Sequence, residues 1–334
     1  MELQKYNRLL LVFVHGFKGD EKTFQDFPER LRAVLTNTLA ATDVDVAIYP
    51  RYETRGDLKT AANNLCSWLI ETGENRADQG LPPPMIVLLG HSMGGLLVAD
   101  AYFNLREASI NASEEKRKNM PKVIGILSFD TPYYGVEGNL FAETARTRAT
   151  DLQSKYSSTI SFVSTLAAAA KSATTSTTVT TKAVTNSAPT SGSKLKWGVF
   201  GAVAAATAAA GATAYWQREK LQNGVDYVTS HLEFVKALTQ QDQLNDRVQK
   251  LKELSNEIIF HCYYMQIQGN TGYMRTFIVP PPETTAEFFT PIKSTATDEV
   301  DAHTSMFNPN ANPDYYSLGD ASIKLITAMV RNHT

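Results

Sequence analysis

Short runs of large aliphatic residues alternate with amphipathic stretches from residue 8 to about 135. That spacing predicts strands joined by helices over a mostly parallel sheet. The predicted strands are Leu9–Val14, Val44–Pro50, Met85–Gly90 and Val123–Phe129, each a near-continuous Val/Ile/Leu run of the kind that is covered on both faces. Between them, Phe24–Leu39, Leu58–Glu71 and Gly94–Arg106 place apolar residues at helical spacing. The charged run Glu114–Lys118 reads as solvated loop. The pattern resumes at Glu257–Gln268 and Arg275–Pro280, both read as strands, and ends in a helix over Ser317–Arg331.

What lies between breaks the pattern, so the chain divides into residues 1–137, an insertion at 138–256, and 257–334. Residues 156–193 are rich in Ser, Thr and Ala, with too few large side chains to hold a packed core, and predict a flexible, disordered linker. Trp197–Trp216 is uncharged and flanked by Lys194, Lys196, Arg218 and Lys220, the length and flanks of a membrane span. Nine of its twenty residues are Ala and three are Gly, however. A single crossing would also put residues 1–196 and 217–334 on opposite sides of a bilayer. A small-residue helix packed on the domain, or one lying at a membrane interface, is the favoured reading. Gly224–Leu254 predicts one or two amphipathic helices, so the insertion is largely helical outside its linker.

Charge and cysteine content narrow the classes of function. With 32 Lys+Arg against 34 Asp+Glu there is no basic excess to neutralise phosphates, and no nucleic-acid partner is expected. The two cysteines, Cys66 and Cys262, sit in apolar runs and read as reduced buried thiols. Residues 1–14 do not read as a secretory signal. The expected location is intracellular, cytoplasmic or membrane-associated.

The chemistry concentrates where the third strand ends. Gly90-His91-Ser92-Met93-Gly94 is a G-x-S-x-G pentapeptide between an apolar strand and a helix, the setting of a nucleophile elbow that lifts the Ser92 hydroxyl clear of the sheet. The glycines at its ends are expected to allow the sharp turn. His15-Gly16-Phe17 follows the first strand, where such an architecture donates one oxyanion-hole N–H. The expected donors are the main-chain N–H groups of Phe17 and Met93. His15 and His91 are read as structural.

With these motifs and Asp130-Thr131-Pro132-Tyr133-Tyr134-Gly135 after the next strand, the sequence resembles the lipase-like serine esterases of the α/β-hydrolase superfamily. The resemblance covers residues 8–135 and 257–330. It implies an α/β-hydrolase fold, with helices on both faces of the sheet, and hydrolysis of carboxylic esters by a Ser-Asp-His triad without metal or organic cofactor. The partner it implies is a small-molecule or lipid ester; the resemblance does not extend over 138–256, where the apolar helix and the length of the insertion suggest a lid or a docking element at a membrane interface.

The triad order Ser, acid, His asks for a late histidine. His231 falls in the insertion, His261 in a strand and His333 at the chain end, which leaves His303, in a predicted loop before the last helix. The acid is open. Residues 258–282 hold no Asp or Glu, so Asp130 at the end of the preceding strand is the first candidate, with Asp298 and Asp301 as alternatives. A thioesterase or protein deacylase would use the same groups, and an inactive, binding descendant of the fold is the other class.

Overall fold

The computed structural model describes residues 7–17, 19–50, 52, 57–77, 82–137, 238, 240–269 and 272–334. Within them the aliphatic runs form strands β1 (Asn7–Val14), β2 (Thr42–Ile48), β3 (Met85–His91), β4 (Lys122–Phe129) and β5 (Ile259–Gln268). These pair in parallel in the order β2-β1-β3-β4-β5. Side chains alternate across a strand, so each run divides between two cores. Leu10, Val12 and Val14 of β1, with Ile86 and Leu88 of β3, pack under helices α2 (Leu58–Ala77) and α3 (Met93–Asn111). Leu9, Leu11, Phe13, Val87 and Leu89 face the other side. There they meet helix α1 (Phe27–Thr38) and the final helix, Tyr315–Arg331. This is the mostly parallel, helix-covered sheet expected of an α/β-hydrolase fold.

Four features depart from the expected element map. The run Glu114–Lys118 is not loop but the start of a short exposed helix, α4 (Glu114–Asn119); the Ser113 hydroxyl accepts from Lys116 N–H as its cap. The second late strand is brief, β6 (Met274–Thr276), antiparallel to β5, because its chain turns aside at Phe277. A further strand, β7 (Phe289–Ser294), pairs parallel with β5. Its Pro291 hides it from a propensity reading, and Pro is tolerated there because β7 is paired along one side only.

The fourth departure concerns the insertion boundary. Parallel neighbours such as β4 and β5 require a crossover connection, and helix α5 (Gln241–Glu253) supplies one. It buries Leu244, Val248 and Leu251 in the core. Its Arg247 forms a two-pronged ion pair with Asp100 of α3, at 2.7 and 2.9 Å. Residues 241–253 are thus core rather than insertion. The predicted linker at 156–193 and the apolar segment 197–216 lie outside the described residues; among those described, no helix is long and apolar enough to cross a membrane.

Burial sets a pH dependence at the β5–β7 seam. The His261 Nε2 lies 2.9 Å from the Thr290 hydroxyl, and burial lowers the pKa of His261 from 6.5 to about 4. Between these values the unfolded chain binds the proton and the folded chain does not, so stability falls as the pH drops through that window. Thermal unfolding followed from pH 7 to pH 4 should therefore show a shallower loss of Tm for His261→Gln than for the parent. Parallel curves would mean that the imidazole is not held neutral.

Candidate active site

The C-terminal ends of the parallel strands carry the polar residues, as expected of an open α/β sheet. Between β3 and α3 a single residue, Ser92, makes the turn, with φ 56° and ψ −131°. That is a left-handed backbone on a residue with a Cβ, a conformation that costs of order 1–3 kcal/mol and persists only where the surroundings enforce it. They do so through the Ser92 N–H, which donates to the Phe129 carbonyl at 2.9 Å, and through the Ser92 carbonyl, which accepts from Gly95 at 3.0 Å.

The expected role of the glycines needs correction. Neither Gly90 nor Gly94 has a positive φ; the strain sits on Ser92 itself. What the glycines supply is room. A Cβ on Gly94 would collide with the carbonyl oxygen of Val14, so α3 could not start where it does against the end of β1.

Gly16 provides the same closeness from the other side. A Cβ there would lie 2.6 Å from the Ser92 Cβ and 3.1 Å from its Oγ, so the loop after β1 abuts the serine with no side chain between. Phe17 and Met93 follow Gly16 and Ser92 directly, and Met93 opens α3, where main-chain N–H groups lack intrahelical acceptors. The loop is held by His15, whose Nδ1–H donates to the Gly16 carbonyl at 2.9 Å. Tyr52 stacks on the His15 ring and donates its hydroxyl to the His15 carbonyl at 2.7 Å.

A second strained residue ends the next strand. Asp130 has φ 47° and is fully buried. Its N–H donates to the Tyr263 carbonyl at 2.6 Å. One carboxylate oxygen, Oδ1, accepts from Met265 N–H at 2.9 Å, and the other, Oδ2, lies 2.6 Å from the Nδ1 of His303. The side chain thus spans to β5 and to a late helix instead of folding back on its own turn. The close His303 contact is the geometry of a carboxylate that fixes an imidazole's tautomer and orientation.

His303 is not in a loop. It sits in a seven-residue helix, α6 (Glu299–Ser305), that precedes the final helix, α7 (Tyr315–Arg331). The same helix carries the other two candidate acids. Asp298 is its N-cap and accepts from Asp301 N–H at 2.8 Å, while Asp301 is exposed on the first turn. The structure brings His303 to Asp130, with 2.6 Å between Nδ1 and Oδ2.

The His303 ring is packed on Phe277, with centroids 3.9 Å apart and planes within 19°, and against His91, at 4.6 Å. His91 is the residue immediately before Ser92, so the base candidate lies beside the elbow. Burial and the neighbouring His303 hold the His91 imidazole well below the ordinary histidine range. Sequence reasoning missed Phe277, Tyr52 and Met265. Their contacts are made across the fold by residues that look like ordinary core, and no local signal marks them.

The family model described as "Putative serine esterase (DUF676)" matches residues 4–171, which include Ser92 and Asp130. No curated protein matches the chain. Among solved structures, the chain resembles phospholipase PlaB from Legionella pneumophila at 11% identity, over 42% of this chain and 28% of that one, with a TM-score of 0.30. It thus spans little more than a quarter of PlaB's length. The RedJ thioesterase of Streptomyces coelicolor is 13% identical over 94% of this chain and 85% of its own, with a TM-score of 0.37. The peroxisomal α/β-hydrolase Lpx1 of Saccharomyces cerevisiae is 12% identical over 96% and 78%, with a TM-score of 0.43.

Proposed function

The chain belongs to the DUF676 serine esterase family, and from that premise we propose that it is a lipase-like hydrolase of carboxylic esters, with Ser92, His303 and Asp130 as its triad. The observation that carries this reading is the 2.6 Å contact between Asp130 Oδ2 and His303 Nδ1. With Nδ1–H committed to the carboxylate, Nε2 of His303 is the nitrogen that acts as the base. It takes the Ser92 hydroxyl proton as Oγ bonds to the acyl carbon, and Asp130 stabilises the imidazolium that results. The carbonyl oxygen, now an oxyanion, receives the N–H groups of Phe17 and Met93. His303 returns the proton to the departing alkoxide. Water, deprotonated by the same imidazole, then cleaves the acyl-enzyme and regenerates Ser92.

An apolar acyl group as substrate is supported by the side chains around the site. Phe17 follows the glycine that abuts Ser92, and Phe277 covers the base. A membrane-derived lipid ester is the natural source of such a group.

The test is labelling of the purified full chain with a fluorophosphonate, together with hydrolysis of p-nitrophenyl esters of increasing acyl length and one matched thioester. Labelling with rates that rise toward long acyl chains is the expected result. A strong preference for the thioester would move the assignment to a thioesterase, and folded protein that neither labels nor turns over any ester would overturn it.

A further inference from the structure

The mechanism above uses one of the two histidines that meet beside Ser92, but the other touches it twice. The His91 Nε2 lies 3.1 Å from the main-chain carbonyl of His303. A carbonyl only accepts, so Nε2 carries the hydrogen and donates. The two rings also pack together, with centroids 4.6 Å apart and planes at 30°. The carbonyl so engaged belongs to the last turn of α6, where a helix runs out of its own N–H partners. The helix also packs through buried Val300 and Ala302 and pairs Glu299 with Arg275, but none of these contacts is made by the His303 backbone. His91 is itself immobilised. It ends β3, is 6% exposed, and meets the rings of Phe24 and Phe307 edge-on.

Resting on the triad reading, we propose that His91 is a positioning residue for the general base: its Nε2–H, carried on the rigid sheet, anchors the α6 backbone at His303 and so sets the imidazole against Asp130 and Ser92. Position within the elbow makes this economical, because the residue that precedes the nucleophile then ties the base to the same strand end. The imidazoles facing His91 are His303 from α6 and His15 from the loop after β1, and with burial they keep it uncharged. A neutral donor is required there, since a second positive charge beside His303 would oppose formation of its imidazolium.

The experiment compares His91→Leu, which removes the donor at similar volume, with His91→Gln, whose amide nitrogen reaches where Nε2 does. Three readouts are taken on the full chain: kcat and KM for a p-nitrophenyl ester, Tm, and the low-field proton NMR resonance of the His303 Nδ1–H shared with Asp130. Displacing a reacting group by about 1 Å can cost ~10²-fold, so H91L should lose roughly tenfold to a hundredfold in kcat with KM little changed and its low-field resonance broadened. H91Q should recover most of both. Should H91L not fold, His91→Asn, too short to reach the carbonyl, replaces it with the same expectation. Wild-type kcat and an unaltered resonance in the donor-deleted variant would overturn the proposal. So would an H91Q variant no better than H91L at equal Tm. The resonance needs only folded protein, so an inactive parent chain would sink the esterase reading while the H91L–H91Q comparison still decided what His91 does.

Discussion

Ser92→Ala is expected to lower kcat for ester hydrolysis by roughly 10⁶, the scale on which a triad nucleophile acts, with the remaining turnover coming from the oxyanion donors and binding alone. Fluorophosphonate labelling should vanish. The substitution removes one buried oxygen and keeps the Cβ, so the left-handed backbone at φ 56° and its two main-chain hydrogen bonds persist unchanged. The fold is therefore expected to survive, and Tm to move little. Ser92→Gly separates strain from chemistry. Glycine relieves a left-handed penalty of about 1–2 kcal/mol and loses about 0.5–1 kcal/mol to the greater freedom of its unfolded chain. S92G should thus be as inactive as S92A and unfold at higher denaturant. Equal stability of the two would mean that the turn at Ser92 stores no strain, and appreciable activity in either would remove Ser92 as the nucleophile.

Why the elbow was legible and its neighbours were not follows from range. Gly90–Gly94 announces itself because strand end, tight turn and helix start are consecutive in sequence, although the strain proved to rest on Ser92 rather than on the glycines. The parallel sheet was legible for a related reason. Strands buried on both faces read as near-continuous apolar runs, and Leu9–Val14, Met85–Leu89 and Val123–Leu127 are such runs. Local signals failed where tertiary packing overrides them. β7 forms despite Pro291 because one side of it needs no partner. α6 is only two turns long and polar, held by the Asp298 cap and by the contacts of His303. The helix over 241–253 was legible within Gly224–Leu254, but the boundary at residue 257 placed it in the insertion, because the need for a crossover helix is a property of sheet topology and not of composition. As for the acid, the lack of Asp and Glu between 258 and 282 narrowed the search, but the N–H of Met265 that holds Asp130 in place lies 135 residues away.

That bond makes Asp130→Asn the sharpest test of the triad, and the expected loss in kcat is roughly 10⁴. The carboxylate now accepts twice, from Met265 N–H at Oδ1 and from His303 Nδ1–H at Oδ2. An amide has one accepting end. If its oxygen stays with Met265, its NH₂ faces His303 Nδ1, which must then accept; the imidazole proton moves to Nε2, the atom that has to receive the Ser92 proton. If the amide turns over, its NH₂ opposes the buried Met265 N–H, leaving that group unsatisfied at a cost of about 1–3 kcal/mol. Either way the charge that stabilises the imidazolium is gone. The backbone gives no competing explanation, because Asn tolerates a left-handed φ as Asp does. Asp298→Asn and Asp301→Asn serve as controls. Asn caps a helix about as well as Asp, so both should retain near-parental kcat. Were D130N to keep its activity while one of those two lost it, the acid would belong to α6 itself, and the 2.6 Å contact at Asp130 would be structural.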